Sequence, residues 1–346
     1  MNSVNKNEYI DYLKGLAIFL VVVGHCWLTE YGMFWFIYRF HMPLFFCISG
    51  YLFKNNRTFK QFIFNKLKHI ILPYFVYFVI SFVLVNIYFE PVSISNAFKY
   101  FLLNGSYLIY VNNYALWYLP LFFLVSLIFY FILKVKNKYV YYIIIFIFGI
   151  FTVPSYRYMH LYFNDFIPFS LQVLPAGIFY LGIGKMIKDI KIKNYLELIK
   201  NYNLIAIFIS IVCFLLGLYF TRNDSIQILN ITSYSYLISS LFIIVSLIIA
   251  TYKNNNYIFV YLGKRTLPIL GLHRIFLFIL SFKKIDIFLL KYNITGFLAS
   301  LIVSSFCICI ICILYEIFNF LKSIVFRKNL AFLQESFSWL TYTCLV

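Results

Sequence analysis

A chain of 346 residues in which 63% are hydrophobic and 12% charged has too few polar groups to cover a water-facing surface, since soluble domains carry about 25% charged residues. A soluble enzyme or binding module is therefore excluded, and the chain reads as an integral membrane protein. Its net charge of +18 would point to nucleic acid in a soluble protein, but cytoplasmic loops of membrane proteins collect Lys and Arg, and no nucleic-acid partner is expected.

Crossing the hydrocarbon core takes about 20 apolar residues. By that measure the sequence predicts an all-α integral membrane protein, a bundle of about ten transmembrane helices at residues 10–29, 34–53, 70–89, 115–133, 139–154, 168–187, 202–220, 232–252, 266–282 and 294–321. The longest connection, Glu90 to Tyr114, is too short for a globular domain, so residues 1–346 read as one membrane domain.

The first predicted helix contains YIDYLKGLAIFLVVVGHCW, Tyr9 to Trp27. Its apolar run from Leu16 to Gly24 has signal-peptide length, but Asp11 lies too close and no small-residue cleavage site follows, which favours an uncleaved helix. Lys14 and His25 are about three helical turns apart, on nearly one face, and Asp11 lies one turn before Lys14. Ionisable groups at membrane depth are costly and face a cavity or a partner. One stripe of this helix is thus read as lining an interior path. Taken alone, Lys14 could simply snorkel to the headgroups.

The second helix carries YRFHMPLFFCISGYLF, Tyr38 to Phe53. A turn expected at Tyr31 to Phe34 would bring His25, Arg39 and His41 to a common depth near the outer half. Pro43 and Gly50 loosen the backbone, which is tolerated where it lines protein or water. His160 is expected on an outer loop without such support. Cys307, Cys309 and Cys312 sit inside an apolar run and read as packing residues, not as a metal site or disulfide.

Orientation follows from the basic segments KNNRTFKQFIFNKLKH (54–69), KVKNK (134–138), KMIKDIKIKN (185–194), Lys253, GKR (263–265) and LKSIVFRK (321–328). All fall inside if both termini are cytoplasmic.

Histidine accepts and returns protons near neutral pH. With no HExxH, GxSxG or phosphate-binding glycine loop in the sequence, and with the Cys307, Cys309 and Cys312 cluster read as packing, general-base activation of a hydroxyl is the simplest chemistry available.

These stretches carry a resemblance. YIDYLKGLAIFLVVVGH and RFHMPLFFCISGYLF resemble the first two signatures of the acyltransferase 3 superfamily of membrane O-acyltransferases, most closely its fucose 4-O-acetylase-like branch. Weaker matches are NKLKHIILPYF (65–75), ALWYLPLFF (115–123) and LGKRTLPILGLHRIF (262–276). Two departures stand out: Lys14 takes a position that is usually Arg, and Lys66, Lys68 and His69 stand where Arg is common.

The resemblance implies transfer of an acetyl group from cytoplasmic acetyl-CoA to a hydroxyl of a cell-surface or lipid-linked sugar in a bacterial inner membrane. His25 would be the general base, and Arg39 or His41 would stabilise the carbonyl charge. Asp11, Lys14, Lys66, Lys68 and His69 would serve the donor; Ser49, Trp117 and His273 would line the substrate path. Acetyl-CoA is a substrate, no permanently bound cofactor or metal is implied, and the partners are acyl-CoA, a glycan acceptor and membrane lipid. A lipid-linked glycan flippase or a polysaccharide polymerase would share the spans and basic inner face. The absence of a second GH…FHMP hairpin counts against a transporter built from repeats.

Overall fold

The structure, a computed structural model, describes residues 6–28, 31–88, 91–103, 105–163, 167–190, 196, 203–220, 228–252, 254–282, 285–291 and 294–342. Residues 191–194 of one basic segment, Lys253, and the terminal residues 29, 89 and 202 of three expected spans lie outside the described residues. Every described element is helical.

The central pair is α1 (Lys6–His25) and α2 (Tyr31–Leu52). The turn expected at Tyr31 to Phe34 is already helix, and α1 ends at His25. Around the pair run α3 (Phe59–Lys66), a π-turn at Leu67–Ile71, α4 (Leu72–Tyr88), α5 (Ile94–Leu103), α6 (Tyr118–Ile132), α7 (Lys138–Phe163), α8 (Leu174–Asp189), α9 (Asn203–Tyr219), α10 (Ser235–Thr251), α11 (Tyr257–Gly263), α12 (Thr266–Phe282), α13 (Ile285–Lys291) and α14 (Gly296–Tyr342). A helix therefore occupies each of the ten expected segments.

Among the described residues, five helical stretches are long and apolar enough to cross a membrane: Phe59–Tyr88, Tyr114–Ile132, Lys138–Phe163, Pro168–Asp189 and Gly296–Ile324. Leu204–Tyr219, Ser235–Thr251 and Thr266–Ser281 are shorter apolar helices. Large apolar side chains such as Ile143, Ile150, Leu204 and Phe208 are exposed on the outside of the bundle. Water would not tolerate so much contiguous apolar surface, and the chain is a multi-pass membrane protein.

The polar helices α1 and α2 are instead jacketed by protein. Ala17, Val22, Ile37, Arg39 and Phe40 are all fully buried. Glycines let the jacket close. A Cβ on Gly15 would stand 1.8 Å from the Phe259 carbonyl oxygen of α11, and one on Gly263 1.7 Å from that of Asp11. The same reciprocal approach joins α2 to α8, at Gly50 against Leu181 and Gly184 against Cys47. Small residues of this kind bring helix backbones together where packing must hold a bundle without water.

Prolines explain two local departures. Pro73 cannot donate to His69 and its ring crowds that carbonyl. The helix widens into the π-turn just before it, where Leu72 N–H donates to Leu67. The fifth span was expected to end at residue 154, a proline, yet α7 runs on to Phe163. The carbonyl freed at Ile150 receives the Tyr234 hydroxyl at 2.6 Å, which removes the reason to stop. His160 consequently lies on α7, with its ring 4.4 Å from that of Tyr156, and not on a loop. Within the described part of the connection ahead of Tyr114, Ile94–Leu103 forms α5 and Gly105–Val111 a 3-10 turn. The cysteine cluster splits between faces: Cys307 and Cys312 are buried and Cys309 is exposed.

Candidate active site

His25 is the last residue of α1, so its carbonyl has no partner within the helix. Arg274 of α12 donates to that oxygen at 3.0 Å, and a cation there also complements the helix dipole. The imidazole is buried. Its Nδ1 lies 2.5 Å from the Tyr38 hydroxyl and 3.0 Å from the Tyr114 hydroxyl, both rings meeting it edge-on. The Arg274 guanidinium in turn covers the Tyr114 ring at 4.2 Å.

Tyr38 and His41 are three residues apart on α2 and so share a face. The His41 Nδ1–H donates to the Ile37 carbonyl at 2.7 Å, leaving Nε2 as a lone-pair acceptor. His273 is pinned likewise, by Ile269 at 2.9 Å and Leu270 at 3.0 Å. Its ring lies 5.1 Å from that of His25.

His25, Tyr38, His41, Tyr114 and Trp117 line one cavity of about 20 Å³, closed off by apolar residues that include Met42, Ile228 and Leu270. That is room for about one water molecule. The structure thus brings His25, His41 and Trp117 together at one cavity. Arg39 goes elsewhere. Two residues before His41, it sits on the opposite face of α2, fully buried, with its guanidinium 5.7 Å from both the Trp35 and Tyr236 rings. His273 is behind the cavity wall and not among its lining residues.

The expected donor residues separate into two groups. Lys14 is ion-paired with Asp11 at 2.6 Å, one turn away on α1. Lys66 is partly buried, its ammonium 4.8 Å from the Phe122 ring, 5.4 Å from Phe62 and 5.5 Å from Phe53. It donates to the Ser126 hydroxyl at 3.2 Å and makes no ion pair among the described residues. Lys68 and His69, on the π-turn, are exposed and do not join this aromatic box.

The cavity and the box are connected along α6. Tyr118, Phe122 and Ser126 recur every four residues and so form one stripe. Tyr118 adjoins Trp117 at 6.2 Å and stacks on Phe122 at 5.4 Å, and Ser49 lies near its hydroxyl.

Sequence reasoning missed Tyr38, Tyr114 and Arg274. The tyrosines carried no signal in a chain with 32 of them. Arg274 did carry one, an arginine within an apolar span.

Comparison with known proteins gives the family. The curated relatives include the nodulation protein NolL of Sinorhizobium fredii (strain NBRC 101917 / NGR234), 45% identical over 60 residues, covering 14% of this chain and 16% of that protein. The nodulation protein NolL of Mesorhizobium japonicum (strain LMG 29417 / CECT 9101 / MAFF 303099) is 36% identical over 84 residues, covering 20% and 22%. The chain thus aligns with less than a quarter of either relative's length. No solved structure matches. The acyltransferase-domain family matches residues 7–316, nearly the whole described bundle, and the chain belongs to that acyltransferase 3 family.

Proposed function

We propose that this protein is a membrane O-acyltransferase that moves an acetyl group from cytoplasmic acetyl-CoA to a hydroxyl of a cell-surface or lipid-linked sugar. The single observation that carries the reading is the buried His25, set on the wall of the cavity and joined along one face of α6 to the aromatic box around Lys66. A phosphate-bearing donor needs a cation at the inner face, and an acyl group needs a path to a base.

In this reading about ten helices cross the membrane and both termini are cytoplasmic, as expected for a bacterial inner membrane. The sequence forms a single membrane domain. The phosphates of the donor meet Lys66, and its pantetheine arm follows Tyr118 and Phe122. From His41 to Leu52, α2 rises about 16 Å, a span an extended pantetheine arm can cover. The sugar enters from the opposite side. His25 removes the hydroxyl proton as oxygen attacks the thioester carbonyl, a step that contributes about 10² to 10⁴ in rate. With its Nδ1–H already donated, neutral His41 offers only an acceptor, and that suits holding a sugar hydroxyl better than stabilising a carbonyl oxygen.

The test is transfer of labelled acetyl from acetyl-CoA by purified protein supplied with the surface glycan of its own cells. The product is read by mass spectrometry. A flippase or polymerase would consume no acetyl-CoA.

A further inference from the structure

The donor-to-base geometry leaves open which group stabilises the thioester oxygen when charge develops on it. We propose that Tyr114 does so: its phenol O–H donates to the carbonyl oxygen of the acyl group, and Arg274 stacked on its ring strengthens that donor. This assignment rests on the acyl-transfer reading above.

Placement removes the two earlier candidates. Arg39 projects from the opposite face of α2 to His41 and lies against Trp35 and Tyr236. His41, its Nδ1–H donated to Ile37, presents a lone pair to the cavity, where an oxyanion needs a proton donor. The donors set directly against His25 are the two phenols.

Tyr114 differs from Tyr38 in two ways. Its ring carries the Arg274 guanidinium at 4.2 Å, and a cation on the ring face draws electron density from the phenol. It also opens the 3-10 turn Tyr114–Trp117 that leads directly into α6, the stripe along which the donor's arm arrives. Tyr38, by contrast, is packed against Phe34 at 4.0 Å and His41 at 4.9 Å.

One hydrogen-bond arrangement serves both catalytic groups. When His25 Nδ1–H donates to the Tyr114 oxygen, shared with the Tyr38 oxygen, Nε2 keeps its lone pair for the base step. The hydrogen of Tyr114 is then left to point into the cavity. The acceptor's O–H proton passes to Nε2, a C–O bond forms, and the carbonyl electron pair moves onto oxygen, which the Tyr114 O–H holds. Collapse breaks the C–S bond, and the proton on Nε2 goes to sulfur to release the free thiol of coenzyme A. Tyrosine hydroxyls are established donors for such oxyanions in other enzymes.

The experiment uses the purified full chain in nanodiscs, with acetyl-CoA and water as the reacting pair, and compares acetyl-CoA with its dithioester analogue. Tyr114→Phe should lower kcat about 100-fold, as removal of one oxyanion donor does, with KM for the donor changed by less than about twofold. Sulfur accepts hydrogen bonds poorly, so the wild type should favour acetyl-CoA over the dithioester, and Tyr114→Phe should lose that preference. Arg274→Gln should lower kcat about 3- to 30-fold by taking the cation off the ring. Equal thermal midpoints would show that folding is intact, and the dithioester preference is a ratio that partial unfolding does not move. An undiminished preference in Tyr114→Phe, or a kcat within about threefold of wild type, would overturn the assignment. A wild type that consumes no acetyl-CoA even when the surface glycan is supplied would instead overturn the acyl-transfer reading.

Discussion

The proposed function puts Lys66 and Lys14 both on the donor side, yet their surroundings predict different losses. Lys66 has three aromatic rings and one serine around its ammonium, with no described acid to neutralise it. Hydrogen bonds to charged groups contribute about 1.5 to 3 kcal/mol, so Lys66→Ala should raise KM for acetyl-CoA about 10- to 100-fold, leaving that of the acceptor near wild type. Lys14 already spends its charge on Asp11. Lys14→Ala should therefore have the smaller effect on the donor, and Lys14→Arg should be tolerated, because guanidinium grips both carboxylate and phosphate. Initial rates across a titration of acetyl-CoA decide this. A change confined to the acceptor's KM would remove both lysines from the donor path.

At the scale of elements, the reciprocal glycines set the position of α2 and hence of Tyr38 and His41. Gly50→Ala would put a methyl 1.8 Å from the Leu181 carbonyl oxygen, and neither backbone can yield without parting the helices. Overpacking of this kind costs about 1 to 3 kcal/mol. The midpoint of thermal aggregation in detergent should fall for Gly50→Ala and for Gly184→Ala. A midpoint equal to wild type in both would mean that the seam does not hold the site.

The same scale shows what could be read from sequence. Long apolar runs fixed the helices, because lipid leaves the backbone no other way to satisfy its hydrogen bonds. The run of α7 past Pro154 could not be read, since it depends on Tyr234, distant in sequence, capping Ile150. The short helix α11 was equally hidden: at seven residues it spans nothing, and its role is to press Gly263 against α1. At the site, spacing brought His25 and His41 to attention because imidazoles are rare at this depth. Spacing could not show that Arg39 turns away, which is decided by the half-turn separating it from His41. Nor could it pair Tyr114 and Arg274 with His25, as those contacts join segments 89 and 249 residues apart.

For the whole molecule, the expected topology assigns every chain segment a side. In a variant lacking the seven native cysteines, a membrane-impermeant maleimide on intact cells should label Tyr110→Cys and spare Lys136→Cys. Both positions labelling alike would contradict the ten-crossing arrangement with cytoplasmic termini. The proposed function has the bundle enclose one base, reached by the donor from the inner face and by the acceptor from the outer. The most direct test of that claim is the rate at which purified His25→Ala, matched to wild type in thermal midpoint, moves labelled acetyl from acetyl-CoA to the glycan. Loss of the general base predicts a fall of about 10² to 10⁴. Retention of more than about a tenth of wild-type activity would contradict the account, because removing the proton acceptor of the reaction cannot leave so much.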